Sequence, residues 1–214
     1  MKKEYKAIIF DLDGTLVDTL PASRQSFKIL LRNRHIDIKD FDIDAYAGAP
    51  TKTILLFLKK KYGLKDTIID LRMERRNIFF SLITKKSLLF KGVEPSIRKL
   101  SKKYKLAIAT GSSFASLFQV TTKELRNLFG VIVTIDDVKK GKPNPDQLLL
   151  AARKLKTDPS RCLMVGDSRF DQIAANKAKM DSIGVLTGAV SKKDLMIAGA
   201  ENVLRNVNEL SKIL

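Results

Sequence analysis

The sequence predicts an α/β fold, a doubly wound parallel sheet with a small α-helical insertion after its first strand. Short apolar runs typical of buried strands alternate with amphipathic stretches typical of helices over most of the chain. One region interrupts this alternation, because residues 19–89 contain helical patterns and no convincing strand. With 214 residues, the chain is long enough for one sheet core and an insertion of that size.

The elements are predicted in order along the chain. A strand over Tyr5–Phe10 precedes a helix over Pro21–Arg34, and the insertion also carries helical patterns at Thr51–Tyr62 and Ile68–Ile83. After Gly92 the pattern predicts, in turn, a helix at Val93–Lys103, a strand at Leu106–Thr110, a helix at Ala115–Phe129, a strand at Val131–Ile135, a helix at Asp146–Lys156, a strand at Cys162–Val165, a helix at Asp171–Lys179 and a strand at Asp181–Val185.

Such alternation is typical of a Rossmann-like parallel sheet with helices on both faces. We therefore expect residues 1–18 and 90–214 to form the core and residues 19–89 to form a helical cap.

The composition favours some partners and settings over others. The formal net charge is +17, from 40 Lys and Arg against 23 Asp and Glu, which favours anionic partners. Because the basic residues are scattered without an aromatic pattern between them, we prefer a solvated lysine-rich surface and keep a nucleic-acid-binding module as an alternative. No apolar stretch is long enough to span a membrane, and Cys162 is the only cysteine, so we expect a reducing, cytoplasmic setting. A monomer and a homodimer are both left open.

Acidic residues stand directly after two predicted strands. Asp11 and Asp13 follow the first strand, and Asp167 follows the strand at Cys162–Val165. Ligands bind at the carboxyl edge of a parallel sheet, where buried acids cost free energy unless a cation or a proton compensates them. A few carboxylate oxygens with open positions beside them suit Mg²⁺. The sequence therefore predicts a Mg²⁺ site at this edge.

Groups suited to a phosphoryl group are predicted at the same edge. Thr110-Gly111-Ser112 follows the strand at Leu106–Thr110, and Lys142 lies in the loop Lys142-Pro143-Asn144-Pro145 before a helix. A lysine, hydroxyls and loop N–H groups match the spread negative charge of a phosphoryl group. Thr110-Gly111-Ser112 is also expected to cap the helix that follows it.

These segments resemble the four motifs of the haloacid dehalogenase superfamily. Asp11-Leu12-Asp13-Gly14-Thr15 resembles the first motif, Thr110 the second, Lys142 in Lys-Pro-x-Pro the third and Gly166-Asp167-x-x-x-Asp171 the fourth. All four occur in the family's order over essentially the whole chain, which makes the resemblance specific. The insertion resembles the small helical cap of the phosphoglycolate phosphatase and β-phosphoglucomutase branch.

The resemblance implies a role for each residue. Asp11 would be the nucleophile that forms a phosphoaspartate, Asp13 the general acid and base, and Lys142 a third catalytic group. Mg²⁺ would be bound by Asp11, by the backbone carbonyl of Asp13 and by Asp167. The phosphate-binding groups would be Leu12, Thr110, Gly111, Ser112 and Lys142. Thr15 and Asp171 would contact the residues that bind the metal and the phosphate, and would not bind either one directly.

Three enzyme types share this family scaffold. The family's dehalogenases lack the second aspartate of the first motif, so Asp13 favours phosphoryl transfer. The branch's sugar-phosphate mutases carry a histidine and an arginine where this chain has Ser23 and Thr51, so a β-phosphoglucomutase-like mutase is the alternative. The resemblance also implies a substrate-selecting cap loop at Gly48, Ala49, Pro50 and Thr51. We predict a phosphatase for a small phosphorylated metabolite, with phosphoglycolate as the leading candidate.

Overall fold

The protein folds around a parallel sheet, as the alternating pattern predicts. The computed structural model describes residues 4–38, 46, 49–83 and 88–214. Six strands lie in the order β3-β2-β1-β4-β5-β6, and every neighbouring pair is parallel. The strands are β1 at Ala7–Phe10, β2 at Lys105–Ala109, β3 at Val131–Val133, β4 at Cys162–Gly166, β5 at Asp181–Val185 and β6 at Asn202–Leu204.

The α-helices of the described residues fall into two groups. Three lie in the insertion: α1 at Leu20–Arg32, α2 at Thr51–Tyr62 and α3 at Ile68–Leu82. The others belong to the sheet region: α4 at Val93–Leu100, α5 at Phe114–Val120, α6 at Lys123–Arg126, α7 at Asp146–Lys154, α8 at Arg169–Lys177, α9 at Lys192–Ile197 and α10 at Leu210–Ile213. None of the described helices is long and apolar enough to cross a membrane.

Strand β1 is the centre of the core, and all its residues are buried. Because successive side chains point to opposite faces of a sheet, Ile8 and Phe10 join the apolar cluster that contains α4 and α5. Ala7 and Ile9 join a second cluster, which contains α7 and α8 on the other face. The sheet is therefore covered on both sides, which is the doubly wound arrangement predicted from the sequence.

The insertion has an apolar cluster of its own. Its helices bury a shared set of side chains, which includes Phe27, Leu30, Leu31, Ile54, Leu55, Leu58 and Leu71. Arg34, just after α1, ties this unit together through ion pairs of 2.7 Å each with Asp66 and Glu74. The chain enters and leaves the insertion along one antiparallel contact, in which Val17 forms a β-bridge with Leu89.

Three details differ from the prediction. The helix expected at Ala115–Phe129 is two helices, because Thr121 is extended and the Thr122 hydroxyl caps α6 by accepting from the N–H of Leu125. The strand expected at Val131–Ile135 ends at Val133, where Thr134 and Asp137 cap a short 3-10 helix. Strand β6 and helices α9 and α10 were not predicted, since each is too short to show a clear hydrophobic period.

The separate apolar cluster of the insertion gives a stability prediction. Leu55 is fully buried in that cluster, whereas its neighbour Leu56 is 48% exposed on the same helix. We expect Leu55→Ala to lower the free energy of unfolding by about 2–4 kcal/mol, because the surrounding helices cannot fill the cavity. Leu56→Ala, the matched control, should change it by less than about 0.5 kcal/mol. Urea unfolding measures both, and equal losses would contradict the assignment of Leu55 to a core.

Candidate active site

The chain leaves β1 through a tight turn that places Asp11 at the carboxyl edge of the sheet. The N–H of Asp11 donates to the carbonyl of Val165 in β4 at 2.9 Å, and three following N–H groups donate to the carbonyl of Leu12. Gly14 has a φ of 76°, and a Cβ there would overlap the carboxylate of Asp167. Only glycine combines that backbone conformation with such a close approach.

Three buried carboxylates meet beside this turn. One oxygen from each of Asp11, Asp167 and Asp171 lies within 4.8 Å of the others. The buried ammonium of Lys142 lies 2.9 Å from Asp11 Oδ1 and 2.5 Å from Asp171 Oδ1. The hydroxyl of Thr15 donates to Asp167 Oδ1 at 2.8 Å. The segments after β1 and β4 and the loop before α7 thus converge on one cluster, which we call the carboxylate–lysine cluster.

Both oxygens of Asp171 are engaged by protein groups. Its Oδ2 accepts from the N–H and the hydroxyl of Ser168, at 3.0 and 2.6 Å, in the capping box that begins α8. Its Oδ1 accepts from Lys142. Asp171 therefore lies where it can hold Lys142 in place, which fits the expectation that it acts through a neighbouring site residue and does not bind the metal.

The environment of Asp11 and Asp167 favours their uncharged forms when no cation is present. Burial raises the pKa of Asp11 to about 7; the charge of Asp171 adds to this rise, and that of Lys142 opposes it. Burial also raises the pKa of Asp167 well above its usual range, reinforced by Asp11 and Asp171. Burial alone would lower the pKa of Lys142, but the neighbouring carboxylates Asp11 and Asp171 outweigh it and raise that pKa. One ammonium thus faces three carboxylates, so the cluster lacks positive charge.

This donor set fits a divalent cation. Asp11 Oδ1 is buried and accepts no hydrogen bond of good geometry from the described residues, although it faces Lys142. Among the described residues, Asp167 accepts one side-chain hydrogen bond, which comes from Thr15. Hard carboxylate oxygens that lack full compensation are what Mg²⁺ binds. Asp11 and Asp167 are therefore free to bind a metal, whereas Asp171 is committed to Lys142 and Ser168.

Asp13 lies at the same edge and is held by hydroxyl groups. Thr19 Oγ1 donates to Asp13 Oδ1, and Ser112 Oγ donates to Asp13 Oδ2, each at 2.7 Å. Thr110 Oγ1 lies 3.4 Å from Asp13 Oδ2 and also accepts from the N–H of Ser112 at 3.0 Å. These contacts fix the direction of the Asp13 carboxylate. Thr19 was not among the predicted site residues.

The other predicted phosphate-binding groups lie around this edge. Leu12 is buried, Gly111 is exposed, and no described residue accepts a hydrogen bond from the N–H of either one. The expected helix cap at Thr110-Gly111-Ser112 is wrong, because Ser113 caps α5 by accepting from the N–H of Ser116. The helix is thus capped by the residue after this segment, and the Thr110 hydroxyl accepts instead from the N–H of Ser112.

A buried glutamine that the sequence analysis missed connects two of these segments. Gln147 in α7 donates to the carbonyl of Thr110 at 2.5 Å, and its Oε1 accepts from the N–H of Lys142 at 3.4 Å. The loop after β5 also reaches the site. Its Thr187 donates to the carbonyl of Gly14, and a Cβ on Gly188 would overlap Asp167. No local sequence signal marks these residues, because Thr110 is far from Gln147, and Gly14 far from Thr187, along the chain.

The predicted cap loop is described only in part. Gly48 lies outside the described residues. Ala49 contacts the apolar cluster of the insertion, Pro50 is the N-cap of α2, and Thr51 is the first residue of that helix. Among the described residues, no hydrogen bond joins Ala49, Pro50 or Thr51 to the carboxylate–lysine cluster.

An arginine of the insertion that the sequence did not single out contacts Ser23. Arg75 in α3 donates from Nε to Ser26 Oγ at 2.9 Å and from Nη2 to Ser23 Oγ at 2.8 Å. Its guanidinium carbon lies 4.6 Å from the ring centre of Phe27 and 4.9 Å from that of Phe79. Ser23, which stands where the resemblance places a mutase histidine, is thus a hydrogen-bond acceptor for an arginine.

Comparison with known proteins agrees with this fold. A family model described as haloacid dehalogenase-like hydrolase matches residues 8–185. The chain therefore belongs to the haloacid dehalogenase-like hydrolase family, and it is an enzyme of the hydrolase class.

Two named phosphatases and a solved mutase structure are similar to this chain over most of its length. The chain is 29% identical over 191 residues to the fructose-1-phosphate phosphatase YqaB of Escherichia coli, covering 86% of this chain and 98% of the relative. It is 27% identical over 217 residues to a phosphoglycolate phosphatase of Colwellia psychrerythraea, covering 97% of this chain and 96% of the relative. Among solved structures, a β-phosphoglucomutase from Clostridium difficile superposes with a TM-score of 0.80 at 25% identity, covering 96% of this chain and 93% of that one.

The shortage of positive charge in the carboxylate–lysine cluster predicts stabilisation by Mg²⁺. We expect millimolar Mg²⁺ to raise the melting temperature by several degrees, because a ligand present at ~100 times its Kd adds about 2.7 kcal/mol. Asp167→Asn should abolish that rise without lowering the melting temperature in EDTA, because burial already favours the uncharged form of Asp167 when no metal is bound. Asp37→Asn, at an exposed acid, is the control and should keep the rise. An unchanged Mg²⁺ response in Asp167→Asn would contradict the site.

The raised pKa of Asp11 predicts how the stabilisation by Mg²⁺ depends on pH. The folded-state pKa of Asp11, about 7, lies above the ordinary value of 3.8, so the folded metal-free protein keeps a proton that the unfolded chain has already released. The stability that this group contributes is therefore lost as the pH rises through about 7. Since Mg²⁺ replaces that proton, the Mg²⁺-induced rise in melting temperature should be larger at pH 8 than at pH 6. A Mg²⁺-induced rise in melting temperature that becomes smaller towards pH 8 would argue against Asp11 as a ligand of Mg²⁺.

Proposed function

We propose that this hydrolase is a Mg²⁺-dependent phosphatase that hydrolyses a small phosphomonoester through a phosphoaspartate on Asp11. The observation that carries the proposal is the position of Asp11, buried at the end of β1 with its Oδ1 2.9 Å from Lys142 Nζ. A carboxylate nucleophile divides a difficult hydrolysis into two easier displacements. The phosphatase names of the relatives described above support the same class of reaction.

In the first displacement, an oxygen of Asp11 attacks phosphorus and the bond from phosphorus to the ester oxygen breaks. Asp13 gives its proton to that leaving oxygen. In the second displacement, Asp13 takes a proton from a water molecule as the water oxygen attacks phosphorus, which releases inorganic phosphate and restores Asp11. The hydroxyls of Thr19 and Ser112 support this role, because they hold the Asp13 carboxylate in one orientation.

The remaining residues of the site would bind the phosphoryl group. Lys142, the Thr110 hydroxyl and the N–H groups of Leu12 and Gly111 would contact its oxygens, and Ser112 would act mainly by orienting Asp13. Asp11, Asp167 and the Asp13 carbonyl would hold Mg²⁺, which would neutralise part of the phosphoryl charge. Asp171 and Thr15 would hold Lys142 and Asp167 in place, through the contacts described above.

The insertion, residues 19–89, would act as a cap over the core formed by residues 1–18 and 90–214. Its entry and exit strands pair with each other, since the N–H of Asp18 donates to the carbonyl of Leu88 at 2.8 Å and that of Phe90 to the carbonyl of Leu16 at 3.1 Å. Two short linkers held side by side make a suitable hinge. Closure of the cap would exclude bulk water during the phosphoaspartate step.

The central test is phosphate release by the wild type and Asp11→Asn. We expect Mg²⁺-dependent release from at least one of phosphoglycolate, pyrophosphate, fructose 1-phosphate and β-glucose 1-phosphate, and a loss of at least about 10³-fold in Asp11→Asn because the nucleophile is gone. Asp37→Asn, an exposed acid of the insertion, is the matched control and should keep full activity.

Other outcomes would point to the alternatives. Conversion of β-glucose 1-phosphate to the 6-phosphate without phosphate release would identify a mutase. Salt-sensitive binding of RNA or DNA, with no activity on any ester, would favour the nucleic-acid-binding alternative. Full activity in Asp11→Asn would refute the proposed mechanism.

A further inference from the structure

The contacts of Arg75 differ from those of a structural arginine. Within the part of the chain that the structure describes, no carboxylate forms an ion pair with it, and its hydrogen bonds go to the neutral hydroxyls of Ser23 and Ser26. Arg34 in the same insertion, by contrast, forms two ion pairs with Asp66 and Glu74. A guanidinium has five N–H donors, so Arg75 keeps donors that these two serines do not use.

The side chain is held rigidly in a partly buried position. Two aromatic rings, those of Phe27 and Phe79, lie within 4.9 Å of its guanidinium carbon. Burial lowers the pKa of Arg75 to about 10, opposed by the charge of Asp13, so the group stays positively charged at neutral pH. A fixed, partly desolvated cation that forms no ion pair with the described residues is suited to an anion from outside.

The position of Arg75 relative to Asp13 indicates the size of the leaving group that would carry this anion. Thr19, Ser23 and Ser26 lie on one face of α1, because they are spaced four and three residues apart. Thr19 donates to Asp13 at 2.7 Å, and Ser23 accepts from Arg75 at 2.8 Å. One helical turn, about 5.4 Å along the axis, separates the two contacts. Arg75 therefore contacts α1 one turn beyond the residue that holds Asp13, and this short separation favours a small leaving group.

We propose that Arg75, oriented by Ser23, is a specificity-determining residue that binds a second anionic group, a carboxylate or a phosphoryl group, on a short leaving group. The inference rests on the proposed phosphatase function and narrows its substrate class. It assigns the selection of the leaving group to α1 and α3 in addition to the cap loop predicted from the sequence. Because the proposal places Arg75 at the end of the substrate away from the reacting phosphoryl group, its effect is on binding of that end.

The alternative is a purely structural role. Arg75 joins α1 to α3 and contacts two aromatic rings, so its loss could loosen the insertion for every substrate alike. A structural role predicts equal losses for charged and neutral leaving groups. A specificity role predicts a loss confined to the charged ones.

The test compares kcat/KM for three phosphorylated compounds in the Mg²⁺-loaded enzyme: phosphoglycolate, the anhydride pyrophosphate, and 2-hydroxyethyl phosphate, whose leaving group is the neutral analogue of that of phosphoglycolate. Arg75→Gln should lower kcat/KM for at least one of the two anionic substrates by about 10–100-fold, mostly through KM, and for the neutral ester by less than about 3-fold. Arg75→Lys should retain part of the preference, because it keeps the charge without the planar fork. Arg76→Gln, the exposed neighbour on α3, makes the same charge change and should alter neither.

The relative loss for phosphoglycolate and pyrophosphate distinguishes a carboxylate from a phosphoryl group as the anion. Ser23→Ala, which leaves the arginine in place, should lower kcat/KM for the preferred anionic substrate only, and it provides a second variant if Arg75→Gln fails to fold. Equal losses for all three compounds in either variant would overturn the proposal. A wild type that hydrolyses only the neutral ester would overturn it while leaving the phosphatase function intact. A wild type that hydrolyses none of the three would overturn the proposal, and the phosphatase function would fall with it only if fructose 1-phosphate and β-glucose 1-phosphate also release no phosphate.

Discussion

The buried contact between Lys142 and the carboxylates of Asp11 and Asp171 is the interaction on which the rest of the site depends. It joins the segment after β1, the loop before α7 and the start of α8, which are far apart in the chain. Burying an ion pair contributes little net stability, because desolvation offsets the attraction, but removing one partner leaves an uncompensated charge. The contact therefore fixes geometry more than it stabilises the fold, and it leaves a negative excess that a divalent cation can neutralise.

Close backbone approach is the second constraint. Gly14 and Gly188 reach the Asp167 carboxylate from two different loops, and a side chain on either would overlap it. Thr187 closes the arrangement by donating to the carbonyl of Gly14. Asp167 is thus approached by backbone from two sides and held by a hydrogen bond from Thr15. The carboxylate is oriented by the fold before any metal binds, which lowers the cost of ordering it.

The sequence predicted the fold class and the strand-end residues because both depend on local patterns. Asp11, Thr110 and Asp167 each follow an apolar run that is recognisable as a strand, and a parallel sheet brings such ends to one edge. The helix break at Thr121 was missed because the apolar period continues across it. The roles assigned to the predicted residues by resemblance remain proposals.

Residues that reach the site from helices could not be predicted in this way. Arg75 is one of many basic residues in a chain with a net charge of +17, and only its contacts with Ser23 and Ser26 distinguish it. Gln147 looks like an ordinary polar position near the start of a helix, yet it links the Thr110 and Lys142 segments. Their importance depends on how the insertion and α7 pack against the sheet, and no local pattern in the sequence reports that packing.

The covalent intermediate on Asp11 is tested most directly by trapping it in Asp13→Asn. This variant lacks the base for the second displacement, and p-nitrophenyl phosphate needs no proton for its leaving group, so the first displacement can proceed while the second stalls. With Mg²⁺ present, we expect a burst of nitrophenol and, after acid quenching and digestion, a phosphoryl group on the peptide that contains Asp11. Nitrophenol release at a steady rate with no phosphorylated peptide, or a phosphoryl group on another residue, would contradict the account.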